Sequence, residues 1–119
     1  MASGRLSTHV LDTALGRPAA GVKIMLYRVS GESHKKLKEV VTNADGRTDS
    51  ALLTGDDLKL GQYELVFCAG DYLRASGQAG EGPLFLDQIP IRFGVGDADG
   101  HYHVPLLISP FAYSTYRGS

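Results

Sequence analysis

His101-Tyr102-His103 sets two imidazoles two residues apart, which on an extended strand places both on one face. With His9 as a third ligand they form a workable zinc triad, whose bound water would be a nucleophile. Without a metal, one imidazole of near-neutral pKa serves as general base while another orients it. The plain alternative is a solvated strand face bearing surface histidines. Tyr116-Arg117-Gly118-Ser119 adds a phenol, a guanidinium, a flexible joint and a hydroxyl. These follow directly on a strand-like stretch from Leu106 to Thr115, so a segment this polar can be held in place and aimed into a site. Arg47 comes just after Asn43-Ala44-Asp45-Gly46, a strong tight-turn sequence, and offers a planar, permanently charged donor fork.

Each of these residues has an ordinary reading. Arg47 is then a turn-flanking cation, Arg117 a chain-end charge, Ser119 a frayed terminus, and His9 a structural strand histidine. His34, beside Lys35 and Lys36, reads as solvent-facing. Together, three histidines, two arginines and a polar final segment make an unusual inventory for a purely structural domain. Other chemistries find less support. No Gly-x-Ser-x-Gly elbow is present, and Cys68 lies in the apolar run Tyr63 to Ala69, where a small core residue is expected rather than a nucleophile. Asp97-Ala98-Asp99-Gly100 lacks the remaining ligands of a calcium loop and reads as a turn.

The elements that must position these groups show mostly a two-residue period. Arg5 to Asp12 is expected as a strand with Leu6, Thr8 and Val10 on one face and Ser7, His9 and Leu11 on the other. Further strands are expected over Val22 to Val29, Lys35 to Thr42, Tyr63 to Ala69, Ile89 to Val95, His101 to Ser109 and Phe111 to Tyr116. Gly16 to Gly21, Ser30 to Ser33, Asn43 to Gly46 and Gly96 to Gly100 read as turns or loops. Gly70 to Gln78 is the one plausible short helix, with Asp71 near its start and Gly77 near its end. Seven or eight short strands with one helix point to an all-β, two-sheet sandwich.

The length of 119 residues fits one domain, 1–119, and 43% hydrophobic content argues against disorder. A formal net charge of −1 leaves no electrostatic footprint for nucleic acid or anionic lipid. No apolar run approaches the ~20 residues of a membrane span, and the first residues lack a secretory pattern, so a cytoplasmic protein is expected. One cysteine builds no intrachain disulfide.

The residues quoted so far, taken with their neighbours, resemble the transthyretin-related proteins, whose enzymatic branch is 5-hydroxyisourate hydrolase. The resemblance is carried by Leu6-Ser7-Thr8-His9-Val10-Leu11-Asp12, Gly16-Arg17-Pro18-Ala19, Asp45-Gly46-Arg47 and His101-Tyr102-His103-Val104-Pro105-Leu106-Leu107. Ser109-Pro110-Phe111 and the final Tyr-Arg-Gly-Ser complete it; that ending marks the hydrolases off from the hormone carriers. The resemblance implies a transthyretin-like sandwich dimerising through edge strands, and a homotetramer built as a dimer of dimers with sites between them. It implies His9, Arg47, His103 and Ser119 as catalytic residues, and Tyr116, Arg117 and Gly118 with His9 and Arg47 as substrate-binding, His101 being an accessory neighbour. The implied reaction is opening of a purine-derived ring by water, with a histidine base and no metal or other cofactor. The rival from the same family is a carrier of aromatic ligands without catalysis.

Overall fold

Alternation along the chain becomes two stacked sheets. A computed structural model of the chain describes residues 3–119. The strands are β1 (Arg5–Asp12), β2 (Arg17–Pro18), β3 (Lys23–Ser30), β4 (Ser33–Val41), β5 (Leu53–Thr54), β6 (Gly61–Cys68), β7 (Gln88–Val95), β8 (His101–Ser109) and β9 (Ala112–Thr115). The helix α1 (Ala69–Ala75) joins β6 to β7, and a single 3-10 turn spans Gly55–Asp57. One sheet runs β2-β1-β8-β9, with β5 also paired to β1; the other runs β4-β3-β6-β7. Every pairing is antiparallel except that of β1 with β8, which is parallel along the whole of β1.

Inward residues of both sheets meet in one core. Leu6 and Val10 of β1, Ile24 and Leu26 of β3, Leu65 and Phe67 of β6, and Leu106 and Ile108 of β8 are all buried. Each such side chain contributes about 1.5–3 kcal/mol over its exposed state, which fixes which face of each strand turns inward. Cys68 is buried, as its apolar run suggested. Among the described residues, no helix is long and apolar enough to cross a membrane.

Several boundaries differ from the sequence expectation. Ala69 opens the helix instead of closing the strand before it, and the last strand is shorter than Phe111 to Tyr116. Arg17–Pro18, within the expected loop 16–21, pairs with Leu11 and Asp12 of β1. Leu53–Thr54 pairs with the start of β1. Two-residue strands are too short for any period-two signal, and tertiary pairing alone defines them.

The junction of β1 and α1 holds a polar group inside the fold. The Asp12 carboxylate is 1% exposed. It accepts from the backbone N–H groups of Ala14 at 3.0 Å and Leu15 at 2.8 Å, from the Tyr72 hydroxyl at 2.6 Å and from Gln78 Nε2 at 2.8 Å. Burial pushes this carboxyl up, but the four donors outweigh it and hold Asp12 below the usual carboxylate range.

Candidate active site

Because Leu6, Thr8 and Val10 point into the core, Arg5, Ser7 and His9 stand on the outer face of β1. The parallel register with β8 sets Arg5 opposite His101, Ser7 opposite His103 and His9 opposite Pro105. Ser7 Oγ lies 2.8 Å from His103 Nδ1, a hydrogen bond between strands 96 residues apart in sequence.

The turn before Arg47 is built to approach β1. The Asn43 side-chain oxygen accepts from the N–H groups of Asp45 and Arg47, at 2.9 and 3.2 Å. Gly46 then passes so close that a Cβ would lie 2.3 Å from the Val10 carbonyl oxygen, and its φ of +74° is one that L side chains rarely adopt. Val10 N–H donates to Gly46 O at 2.8 Å, and Arg47 forms an isolated antiparallel bridge with His9. His9 Nε2 is 2.9 Å from the Asp45 carbonyl oxygen. A carbonyl only accepts, so this ring nitrogen carries the proton and His9 is oriented from outside the cavity described below.

The final segment is pinned along β8 in the same way. Gly118 N–H donates to His103 O at 2.7 Å, and the two residues form a bridge. A Cβ on Gly118 would come within 2.6 Å of His103 Cδ2, so glycine is what allows the segment to lie against the imidazole. Arg117 turns the other way. Its guanidinium stacks 4.1 Å from the centre of the Tyr102 ring and donates to His101 O at 3.2 Å.

These segments enclose a hollow of about 370 Å³ lined by Arg5, Ser7, Arg47, His101, His103 and Ser119. His103 is the perturbed imidazole within it. Burial lowers its pKa below the ordinary value, and the positive charge of Arg47 and of His9 lowers it further, so the ring is neutral at neutral pH. Nδ1 is occupied by Ser7, which leaves Nε2 for other chemistry.

The residues expected from the sequence therefore divide. His103, Arg47 and Ser119 line the hollow; Gly118 and His9 buttress it through His103 and Arg47. Tyr116 and Arg117 line a second hollow of about 510 Å³ with Phe93, Tyr102 and Val104. His101 lines the first hollow, with Nε2 3.0 Å from the Ser3 carbonyl oxygen. The three-histidine metal grouping is not formed: among the described residues no three His, Cys, Asp or Glu side chains stand close enough to share an ion. Arg5 and Ser7 are strand residues in the sequence reading, with no site role given to either. Their period-two relation to His9 was the one local signal, since the partner that gives them a place lies at the other end of the chain.

With this geometry in view, the likeness to known proteins is specific. The model described as the HIUase/Transthyretin family matches residues 6–118. A 5-hydroxyisourate hydrolase from Mesorhizobium japonicum is 64% identical over 116 residues, covering 98% of this chain and 93% of that protein. The crystal structure of (S)-allantoin synthase matches with a TM-score of 0.93 at 48% identity, covering 99% of this chain and 44% of that one. Transthyretin from Sparus aurata matches with a TM-score of 0.84 at 26% identity over 96% of each chain.

Proposed function

This chain belongs to the HIUase/Transthyretin family, and from that premise we propose that it is a 5-hydroxyisourate hydrolase whose general base is His103. The protein is an enzyme of the hydrolase branch and acts on a small molecule, as the identity and coverage of its curated relatives support. Water attacks a ring amide-type carbonyl of 5-hydroxyisourate while His103 Nε2 takes one of its protons. The tetrahedral oxyanion collapses, the ring C–N bond breaks, and the imidazolium returns its proton to the departing nitrogen. One water is consumed, the ring opens to an imidazoline carboxylate, and no redox change occurs. Arg47 faces the developing negative charge with a fixed cationic fork, and Ser119 supplies a hydroxyl for the water or a substrate N–H.

The observation that carries this reading is the meeting of Ser7, Arg47, His103 and Ser119 around one hollow from four separate stretches of chain. His9 holds the Arg47 backbone against β1 through their bridge. Arg117 anchors the segment through Tyr102, and Tyr116 bounds the neighbouring hollow. A wall of two arginines and two histidines suits a polar, anionic ring, whereas an apolar carrier ligand would leave those groups desolvated without partners. We place the working enzyme in the cytoplasm as a dimer of dimers, with β7 and β9, each at one edge of its sheet, as the joining edges.

Absorbance decay of freshly prepared 5-hydroxyisourate tests this directly. Native protein accelerates the decay, His103→Asn slows kcat by about 10²-fold or more, and protein lacking residues 117–119 falls near background. Background decay with native protein would refute hydrolysis and favour an aromatic-ligand carrier. Full activity in His103→Asn would place the base elsewhere.

A further inference from the structure

The ring of His103 is held between two unlike contacts. On one side lies the Gly118 backbone, close enough that no Cβ fits. On the other is Ser7 Oγ at 2.8 Å from Nδ1, the one hydrogen bond the ring makes among the described residues. When Nε2 takes a proton, Nδ1 must also carry one, because an imidazolium is a donor at both nitrogens. That new charge needs an acceptor. The charged and titratable groups around it are Arg5 and His9 from β1, His101 and Tyr102 from β8, Arg47 from the turn after Asn43, Arg117 beside His101, and the main-chain carboxylate of Ser119. Among the described residues no Asp or Glu side chain lines the hollow. Nδ1 is thus partnered by no Asp or Glu side chain among these residues, and the Ser7 hydroxyl, which can donate or accept, holds that position.

We propose that Ser7 is a positioning residue for the hydrolysis, aiming Nε2 of His103 at the attacking water and accepting the Nδ1–H hydrogen bond of the imidazolium that forms. This rests on the hydrolase reading above. Oγ is suited to the step because its proton rotates freely. It satisfies Nδ1 in either neutral tautomer and accepts as soon as the ring is charged. A hydrogen bond to the charged form favours that form, so Ser7 holds the His103 pKa higher than burial and the neighbouring cations would leave it.

The test compares native protein with Ser7→Ala, Ser7→Cys and Ser7→Thr, following turnover of 5-hydroxyisourate against pH and the His103 ring titration by NMR. Ser7→Ala and the volume-conserving Ser7→Cys are expected to lower kcat about 10-fold with KM changed less than about 3-fold, the effect of one lost hydrogen bond in the transition state. The acid limb of kcat and the His103 titration should both move to lower pH, because the imidazolium has lost its acceptor. Ser7→Thr, which keeps the hydroxyl, should restore both. If Ser7→Ala fails to fold, Ser7→Cys carries the comparison. Active native protein with unchanged kcat and an unmoved acid limb in both variants would overturn the role of Ser7 and leave the hydrolase reading intact. No turnover by native protein would overturn the hydrolase reading, and the role of Ser7 with it.

Discussion

A histidine is useful as a base only if it is neutral when the substrate arrives, and the surroundings of His103 secure this. Burial, Arg47 and His9 all depress its pKa below the ordinary value. Activity should accordingly be complete at neutral pH and fall as the pH drops through the folded pKa, below about 6.5. The same sign applies to the fold: the unfolded chain binds that proton more readily, so this contribution to stability is present above about pH 6.5 and is lost on acidification. A kcat profile flat from about pH 5 to 8 would contradict a histidine base. Gly118 sets the second condition, the approach of the final segment to the ring. Gly118→Ala should displace residues 117–119 and lower kcat by about 10-fold or more, since small misplacements in a site are costly. Global stability should change by less than about 1 kcal/mol, because the bond at stake is one bridge near the end of the chain. Parallel urea denaturation and kinetics would separate the two effects.

Among the elements, the strands that carry most of the core were legible because each alternates over a long enough stretch. β1 is the clear case, with Leu6, Thr8 and Val10 inside. Alternation says which face is buried but not which strand lies alongside. The parallel pairing of β1 with β8 had no local trace, and with it Ser7 opposite His103 stayed hidden. Arg47 was visible as the residue after a tight turn, yet its bridge to His9 depends on Gly46 passing close to Val10, a contact between elements. Asp12 gave no sign of its burial, because its donors come from the turn after β1 and from α1 and the residues after it. This cluster makes a further prediction. Tyr72→Phe removes one of the four hydrogen bonds to the carboxylate and should cost about 1–3 kcal/mol in urea unfolding. Asp12 has a depressed folded pKa, so its contribution is present above the unfolded carboxylate value near pH ~3.9 and is lost as the pH falls through the folded pKa. The gap between native and Tyr72→Phe protein should therefore narrow as the pH drops below about 4. A gap constant with pH would show that packing of the ring, and not the bond to Asp12, is what the hydroxyl supports.

For the whole molecule, two phenylalanines are left largely unburied. Phe85 is 73% exposed and Phe111 76% exposed, with ring centres 6.0 Å apart. A single chain gains nothing from this pair, whereas the proposed tetramer would cover it. Phe111→Ser should then lower the tetramer fraction in sedimentation while leaving the far-ultraviolet circular dichroism of the subunit unchanged; an unaltered tetramer would remove this face from the interface. The union of β1 with β8 has a consequence of another kind, in time. β1 can find its partner only once the chain has been synthesised through β8, because Ser7 and His103 are 96 residues apart. Closing so large a loop must precede its reward, which places this topology among the slower folders, on the millisecond-to-second scale. The proposed catalytic competence is thus a late acquisition: a nascent chain stalled before residue 101 contains the residues of β3, β4, β6 and β7, yet has neither the proposed base nor the strand that carries it.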